Sequence, residues 1–209
     1  PSLHIVGVSY KNANAIERGK FSLDQTNSKK LLLDAARLGI ESIVVNSTCN
    51  RGEIYAYINN FESIIDLLCK HSHGKKSDFE NIGYNLEGDV AIEHLFSVGT
   101  GLDSQILGDF EIIAQLRKSF KNSKDLGLVN PYFDRLFSTV MQASKRIKNE
   151  TKLSTGATSV SFAAVRYILD NVDNLKDKKI LLFGAGKIGR NTCENLVKHT
   201  SNKQITLIN

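Results

Sequence analysis

The chain is poor in several features that mark whole classes of protein. It has three cysteines in 209 residues, and their spacing pairs none of them into a disulfide framework. No apolar run is long enough to cross a membrane, and no basic-then-apolar leader with a small-residue cleavage site opens the sequence. Internal repeats and low-complexity tracts are also absent. We therefore expect a soluble globular protein of the reducing cytoplasm.

The composition is that of a globular protein with a mild positive charge. Hydrophobic residues make up 41% of the chain, enough for one good core or two modest ones. Lysine and arginine number 27 against 22 acids, which gives a net charge of +5. This balance permits a phosphate-bearing partner but does not require one, because many solvated surfaces carry the same excess.

Apolar periodicity divides the first 150 residues into a sheet and a helical layer. Strands are predicted at 3–8, 42–46 and 53–58, and helices at 28–38 and 61–70. This order predicts an α/β split-βαβ (ferredoxin-like) sandwich. The polar stretch 71–87 predicts a loop with one short strand. From residue 89 onward the pattern is helical, and Gly127 and Pro131 bracket a break between two helices.

A glycine-rich loop lies near the end of the sequence. The apolar run 179–183 predicts a buried parallel strand, which leads into Gly184, Gly186 and Gly189 in G-x-G-x-x-G spacing. A helix to about 199 and a strand at 204–208 follow. This context predicts dinucleotide binding, since the glycines allow a tight turn and close approach to a pyrophosphate at a helix N-terminus. The alternative is a glycine-rich turn that binds nothing.

The type of dinucleotide depends on the residues after the second strand. No acid stands at the end of strand 204–208 to hold the ribose hydroxyls, which favours NADP over NAD. A doubly wound nucleotide domain also needs several further strands. We therefore expect an incomplete Rossmann-type βαβ unit and a chain that is the N-terminal part of a longer protein.

A candidate nucleophile lies where strand 42–46 ends, in the sequence Ser-Thr-Cys-Asn-Arg. Cys49 has polar neighbours, and Arg51 follows two residues later. A nearby guanidinium lowers the cost of forming the thiolate, which is the reactive species. The alternative is a small apolar residue that ends a strand. Polar neighbours favour the covalent catalyst, because inert cysteines lie among apolar residues.

The other two cysteines are predicted to be packing residues. Cys69 and Cys193 fall on apolar helical faces. Cys69 with His71 and His73 lacks a second ligand cluster, so we predict no metal site.

Three stretches, in this order, resemble the glutamyl-tRNA reductase family: the Cys49 motif, residues 94–108 and the glycine loop. The resemblance runs from Gly7 to Asn209 and includes 156–165. It implies a catalytic, glutamyl-tRNA-binding domain over 1–152 and the N-terminal part of an NADPH-binding domain over 153–209. The family's C-terminal dimerisation domain is expected to be absent.

The resemblance implies NADPH-dependent reduction of glutamyl-tRNA to glutamate-1-semialdehyde through a cysteine thioester. This is the first step of five-carbon tetrapyrrole (porphyrin) biosynthesis. The full-length protein would be a homodimer that passes its aldehyde to glutamate-1-semialdehyde aminomutase. For this truncated chain we expect a monomer with little or no steady-state turnover.

The resemblance also assigns site residues. Cys49 and His94 are the catalytic pair, with His94 transferring a proton to the leaving oxygen. Arg51 is assigned to the substrate carboxylate. The substrate-binding positions are Thr48, Asn50, Arg51, Ser104, Asp109, Phe110, Glu111 and Gln115. The cofactor-binding positions are Gly184, Ala185, Gly186, Lys187, Ile188 and Gly189. Without the resemblance, the sequence would predict a core or half-buried histidine at position 94, because His94 shares a helical face with Val90, Ala91 and Val98.

The chain departs from the family pattern at several of these places. Asp109 stands where glutamate is typical and Glu111 where glutamine is typical. Near the N-terminus, Tyr10 replaces histidine, Asn12 replaces threonine and Gly19 replaces glutamate. The N-terminal substrate contacts are therefore expected to differ from those of the family, while the Cys49 motif is intact.

Two other functions fit parts of the pattern. A thioester-forming aldehyde dehydrogenase acting on a small molecule would use the same cysteine without needing a tRNA. A non-catalytic module with a nucleotide-sensing loop would need no reactive thiol. Dependence on the tRNA body separates the first from the reductase, and slow alkylation of Cys49 would indicate the second.

Overall fold

The computed structural model describes residues 1–109, 111–151, 153, 160–200 and 202–209. The strands in these ranges are β1 (Ser2–Ser9), β2 (Ile43–Ser47), β3 (Arg51–Ile58), β4 (Tyr84–Glu87), β5 (Ile180–Phe183) and β6 (Ile205–Ile208). The helices are α1 (Ala15–Lys20), α2 (Gln25–Arg37), α3 (Glu62–His71), α4 (Lys76–Ile82), α5 (Gly88–Gly99), α6 (Glu111–Asp125), α7 (Pro131–Glu150), α8 (Val160–Asn171) and α9 (Lys187–His199). A short 3-10 helix covers Leu175–Asp177. The chain is thus an α/β protein.

The first four strands form one antiparallel sheet in the order β2-β3-β1-β4. Helices cover both faces, so β1 is apolar on both sides. Ile5 packs with residues of α5, α6 and α7, whereas its neighbour Val6 packs with residues of α2, α3 and α4. Successive side chains of a strand point to opposite faces, and the two cores therefore share one strand.

Local signals fix several helix ends. The Asp24 side chain accepts a hydrogen bond from Asn27 N (2.7 Å) at the start of α2, and Gly39 follows that helix with φ of +76°. Gly127 has φ of +74°, and Pro131 opens α7. The predicted break between α6 and α7 is confirmed.

The stretch 71–87 differs from the prediction. The predicted short strand is present as β4, but α4 precedes it, and α1 was not predicted either. Phe79 is the one buried residue of α4, and its ring packs edge-on against Phe21 at 5.9 Å between centroids. A seven-residue helix with a single buried anchor shows too little apolar periodicity to be recognised in the sequence.

Strands β5 and β6 pair in parallel, with α9 connecting them. The predicted burial of β5 is correct for one face only. Ile180 and Leu182 are half-buried, whereas Leu181 and Phe183 are exposed. Within the described ranges, helices cover one side of this two-stranded sheet, so alternate residues face solvent. No helix in those ranges is long and apolar enough to span a lipid bilayer.

Candidate active site

Cys49 lies in the tight turn that joins β2 to β3, and its side chain is exposed. Thr48 N donates a hydrogen bond to Arg51 O (2.8 Å). The Thr48 hydroxyl oxygen accepts from Asn50 N and Arg51 N, both at 3.2 Å. Thr48 was predicted to contact substrate, and the structure shows its hydroxyl holding the backbone of the turn. This network presents the thiol in a defined position.

Two neighbours join the Cys49 turn to the chain that follows β1. Tyr10 N donates to Asn50 O at 2.9 Å. The Arg18 guanidinium donates from Nε to Cys49 O (3.4 Å) and from Nη1 to Ala13 O (2.6 Å). Sequence reasoning missed Arg18, because these acceptors are backbone carbonyls that leave no trace in residue types. The turn is therefore held from both sides.

Arg51 points into the protein and is 2% exposed. Its Nη1 donates to Glu53 Oε1 at 3.1 Å, and its Nη2 donates to the main-chain carbonyl of Asp103. Burial opposes the charge, but the combined attraction of Glu53, Tyr55, Tyr84 and Asp103 outweighs it and raises the pKa of Arg51. The guanidinium that the resemblance assigns to a substrate carboxylate thus already has acidic partners inside the protein.

Glu53 is fully buried at the centre of a polar network. Oε1 accepts from Arg51, from His94 Nε2 (2.7 Å) and from the Tyr84 hydroxyl, and Oε2 accepts from the Tyr55 hydroxyl. Burial opposes its charge, yet the attraction of Arg51 and the hydrogen bond from His94 lower the pKa of Glu53 from 4.5 to about 2. Sequence reasoning missed Glu53, although Arg51, Glu53 and Tyr55 alternate along β3 and so share one face.

His94 projects from α5 between two carboxylates. Nε2 must donate to Glu53, because an ionised carboxylate only accepts hydrogen bonds. Nδ1 lies 3.5 Å from Asp103 Oδ2, and the side chain is 15% exposed. The contacts of His94 are polar, with the Tyr84 ring packed edge-on at 5.8 Å. Nε2 is thus held by the buried Glu53 carboxylate, and Nδ1 faces the Asp103 carboxylate, which is more accessible to solvent.

Asp103 lies on a loop that follows α5 and is closed by two glycines. Gly101 and Gly108 have φ of +76° and +78°, and Gly108 N donates to Gly101 O at 3.0 Å. Asp103 N donates to Ser97 O (2.9 Å), which fixes the loop against the helix. Asp103 Oδ1 pairs with Lys11 Nζ at 2.6 Å. Neither Asp103 nor Lys11 was predicted as a site residue.

An open pocket of about 290 Å³ lies beside His94. Its lining residues come from the turn after β1, from β4, from α5 and from the loop after α5: Lys11, Leu86, Val90, Glu93, His94, Ser97, Leu102 and Asp103. An adjoining pocket extends the lining to Ser9, Asn12 and Tyr84. Ser9 pairs with Arg51 across β1 and β3, so the pocket and the Cys49 turn occupy the same end of the sheet.

Of the remaining predicted substrate residues, Asp109, Glu111 and Gln115 lie just before or within the first turns of α6. Ser104 is half-buried next to Asp103. Asp109 Oδ1 accepts from Glu111 N (2.9 Å), and Gln115 lies one turn further on at an exposed position. Phe110 lies outside the described residues. The structure thus joins Arg51 and His94 through Glu53 and places Ser104 beside that network.

The glycine loop has the backbone of a tight turn into α9. Gly184 has φ of +110°, and Gly186 precedes the helix that begins at Lys187. A Cβ on Gly189 would lie 1.8 Å from Gly184 O, whereas a Cβ on Gly186 would meet nothing within 4 Å. Ala185 N donates to Asn209 Oδ1 (3.4 Å), and Ile188 is exposed. Gly189 is required for packing, and Gly186 leaves open space where a pyrophosphate would approach.

This contrast predicts that alanine substitutions at Gly189 and Gly186 will differ in their effect on thermal stability. Gly189→Ala should unfold the β5–α9–β6 unit at lower temperature, because the new methyl group overlaps a carbonyl oxygen. Gly186→Ala should leave thermal unfolding within about 1 °C of the parent, because its methyl group would meet no atom within 4 Å. Circular dichroism melting of the two variants checks this. Equal destabilisation by both would contradict the packing role of Gly189.

Comparison with known proteins gives consistent matches. A family model described as "Glutamyl-tRNAGlu reductase, N-terminal domain" matches residues 6–151. The chain is 58% identical over 208 residues to "Glutamyl-tRNA reductase 2" of Flavobacterium johnsoniae, covering 100% of this chain and 48% of that protein. It is 59% identical over 206 residues to the glutamyl-tRNA reductase of Christiangramia forsetii, with coverage of 99% and 49%.

A solved structure agrees with these relatives. The glutamyl-tRNA reductase from Methanopyrus kandleri superposes with a TM-score of 0.67 at 28% identity, covering 98% of this chain and 48% of that one. The chain therefore spans about half the length of the curated relatives it matches.

Proposed function

The chain belongs to the glutamyl-tRNA reductase family, and on that premise we propose that it carries the cysteine-dependent step of glutamyl-tRNA reduction to glutamate-1-semialdehyde. One observation carries the proposal. An exposed Cys49, in a turn held by hydrogen bonds, lies at the same end of the sheet as His94, which is held by a buried carboxylate. Acyl transfer from an ester requires both a positioned nucleophile and a positioned proton donor.

In the acyl-transfer step the Cys49 thiolate attacks the ester carbonyl carbon and a C–S bond forms. The C–O bond to the 3′-terminal ribose breaks, and its electron pair stays on the leaving ribose oxygen. A proton delivered to that oxygen releases the tRNA and leaves a glutamyl thioester on Cys49. NADPH, held at Gly184–Gly189, would supply the hydride that takes the acyl group to the aldehyde level.

His94 is the residue proposed to supply the proton. Its Nε2 is engaged with Glu53, so Nδ1, at 3.5 Å from Asp103 Oδ2, is the nitrogen free to hand a proton to the leaving oxygen. The Glu53 carboxylate accepts the hydrogen bond from Nε2 and so fixes the orientation of the ring.

The domain assignment belongs to the same proposal. The antiparallel order β2-β3-β1-β4, with helices between β1 and β2 and between β3 and β4, supports a split-βαβ catalytic domain within 1–152. The parallel β5–α9–β6 unit supports a Rossmann-type NADPH-binding domain beginning within 153–209. The proposal includes a cytoplasmic enzyme whose full-length form is a homodimer delivering to the aminomutase.

The experiment is single-turnover acyl transfer in the absence of NADPH, comparing glutamyl-tRNA with the 3′-glutamyl ester of adenosine. We expect release of tRNA to depend on Cys49 and to be at least about tenfold faster than release of adenosine, because binding of the tRNA body positions the ester. Cys49→Ser should stop the release, and Cys69→Ser is the matched control. Equal rates with both esters would indicate the small-molecule dehydrogenase instead. If the parent chain released tRNA no faster than Cys49→Ser does, the proposal would be refuted.

A further inference from the structure

The proton on His94 Nδ1 needs an acceptor until the leaving ribose oxygen takes it. This inference rests on the proposed function, in which Nδ1 gives that proton. Glu53 holds the ring through Nε2 at 2.7 Å, and the Tyr84 ring packs edge-on against it. These two contacts orient the imidazole, but neither provides an acceptor for an N–H at Nδ1.

The pocket beside His94 is lined by two acids, Glu93 and Asp103. Glu93 is exposed, and in the part of the chain that the structure describes it makes no ion pair with His94. Asp103 lies on the loop after α5, its side chain is 8% exposed, and its Oδ2 is 3.5 Å from His94 Nδ1. Asp103 is therefore the acid that faces the proton-donating nitrogen.

Asp103 is held in place by groups other than His94. Its N–H donates to Ser97 O at 2.9 Å, and its carbonyl accepts from Arg51 Nη2. Two cations face one carboxylate oxygen, because Oδ1 lies 2.6 Å from Lys11 Nζ and 3.7 Å from Arg51 Nη2. Oδ2 is thus left for His94, and one residue joins the arginine assigned to the substrate carboxylate to the proton donor.

We propose that Asp103 is a positioning residue for the proton transfer, holding the Nδ1–H of His94 until the leaving oxygen takes the proton. The proton moves from Nδ1 to the ribose oxygen that keeps the electron pair of the broken C–O bond, and Asp103 stays ionised throughout. At 3.5 Å the contact is longer than a strong hydrogen bond, so it orients the donor without retaining the proton. Asp103 acts through His94 and takes no part in the bonds that form and break at the acyl carbon.

Asp103→Asn keeps the shape of the side chain and removes its second acceptor. An amide has one acceptor oxygen, and the two cations that face Oδ1 keep that oxygen on their side. The amide nitrogen then faces Nδ1, donor against donor, so the Nδ1–H loses its acceptor. The contacts with Ser97 and Arg51 through the backbone need no side chain and remain in the variant.

The test uses two glutamyl esters that differ in whether the leaving group needs a proton. The ribose oxygen of glutamyl-tRNA is a poor leaving group that needs one, whereas p-nitrophenolate leaves the α-p-nitrophenyl ester of glutamate as a stable anion. In single-turnover acylation of Cys49, Asp103→Asn should slow transfer from glutamyl-tRNA about 10- to 100-fold and transfer from the nitrophenyl ester less than about threefold. The matched control is Asp125→Asn, which removes an exposed acid paired with Lys121 on α6 and should leave both rates unchanged.

A double variant shows whether Asp103 acts through His94. His94→Gln removes the proton donor, so adding Asp103→Asn to it should slow transfer from glutamyl-tRNA by less than about a further twofold. Losses that multiply in the double variant would mean that Asp103 acts independently of His94, and the inference would be wrong.

The remaining outcomes overturn the inference in different ways. Equal slowing of both esters by Asp103→Asn would assign Asp103 to binding of the glutamyl carboxylate or to the fold. Unchanged transfer from glutamyl-tRNA in Asp103→Asn would show that Asp103 has no part in the step. If the parent chain took up no glutamyl group from the tRNA, the proposed function itself would be refuted, and the positioning role of Asp103 with it.

Discussion

Replacing Glu53 by glutamine is expected to lower the free energy of unfolding by about 3–5 kcal/mol, because it removes the nearer of the two carboxylates that pair with the buried Arg51 guanidinium. The change also takes the anionic acceptor from His94 and from the Tyr84 and Tyr55 hydroxyls. Urea denaturation of the parent and Glu53→Gln at pH 7 measures the loss.

The matched control is Glu62→Gln, which removes the partner of Lys76 in an exposed ion pair. Exposed pairs contribute about 0–1 kcal/mol, so this variant should unfold almost as the parent does. A Glu53→Gln loss no greater than the Glu62→Gln loss would contradict the structural role given to the network.

The same carboxylate predicts a pH dependence with a defined sign. The pKa of Glu53 is lowered in the folded protein from 4.5 to about 2, because the attraction of Arg51 and the His94 hydrogen bond outweigh burial. The stabilisation that the ionised Glu53 carboxylate gives the folded protein is complete above pH 4.5 and is lost as the pH falls through about 2. This contribution to the free energy of unfolding is of the order of 3 kcal/mol. Glu53→Gln should lack this part of the acid dependence.

Replacing His94 by glutamine is expected to slow acyl transfer to Cys49 by about 10²- to 10⁴-fold, the usual contribution of general acid catalysis. The glutamine amide can still donate to Glu53, so the buried carboxylate keeps a hydrogen bond. Alkylation of Cys49 by iodoacetamide needs no proton donor and should change less than about threefold. Single-turnover tRNA release and alkylation rates measure the two effects.

The control for this variant is His71→Gln, which changes a histidine paired with Asp34 at 2.9 Å. His71 lies on α3, so the substitution should leave the rate of acyl transfer unchanged. A His94→Gln variant that transfers the glutamyl group at the parent rate would show that His94 does not deliver the proton.

The parts of the site that the sequence predicts are those carried by contiguous residues. The Cys49 turn and the Gly184–Gly189 loop are short motifs between periodic apolar runs, so residue order alone reveals them. The polar network is different. Glu53 comes from β3, Tyr84 from β4 and Asp103 from the loop after α5, and only the strand order β2-β3-β1-β4 brings them together.

Arg51 shows what residue type and spacing leave undetermined. The sequence places a cation two residues after Cys49, and this suggests a guanidinium facing the thiol or the substrate. In the structure its side chain follows the alternation of β3 and points to the face that carries Glu53 and Tyr55. Glu53 and Asp103 pair with the arginine there, and the positions of these two acids depend on tertiary contacts.

Peptide mass spectrometry of this chain after mixing with glutamyl-tRNA without NADPH, with Cys49→Ser measured in parallel, tests the covalent mechanism directly. We expect one glutamyl adduct on the Cys49 peptide of the parent chain and none on the Cys69 or Cys193 peptides. Cys49→Ser should carry no thioester adduct. An adduct on another cysteine, or an unmodified Cys49 while the tRNA is deacylated, would contradict the covalent mechanism.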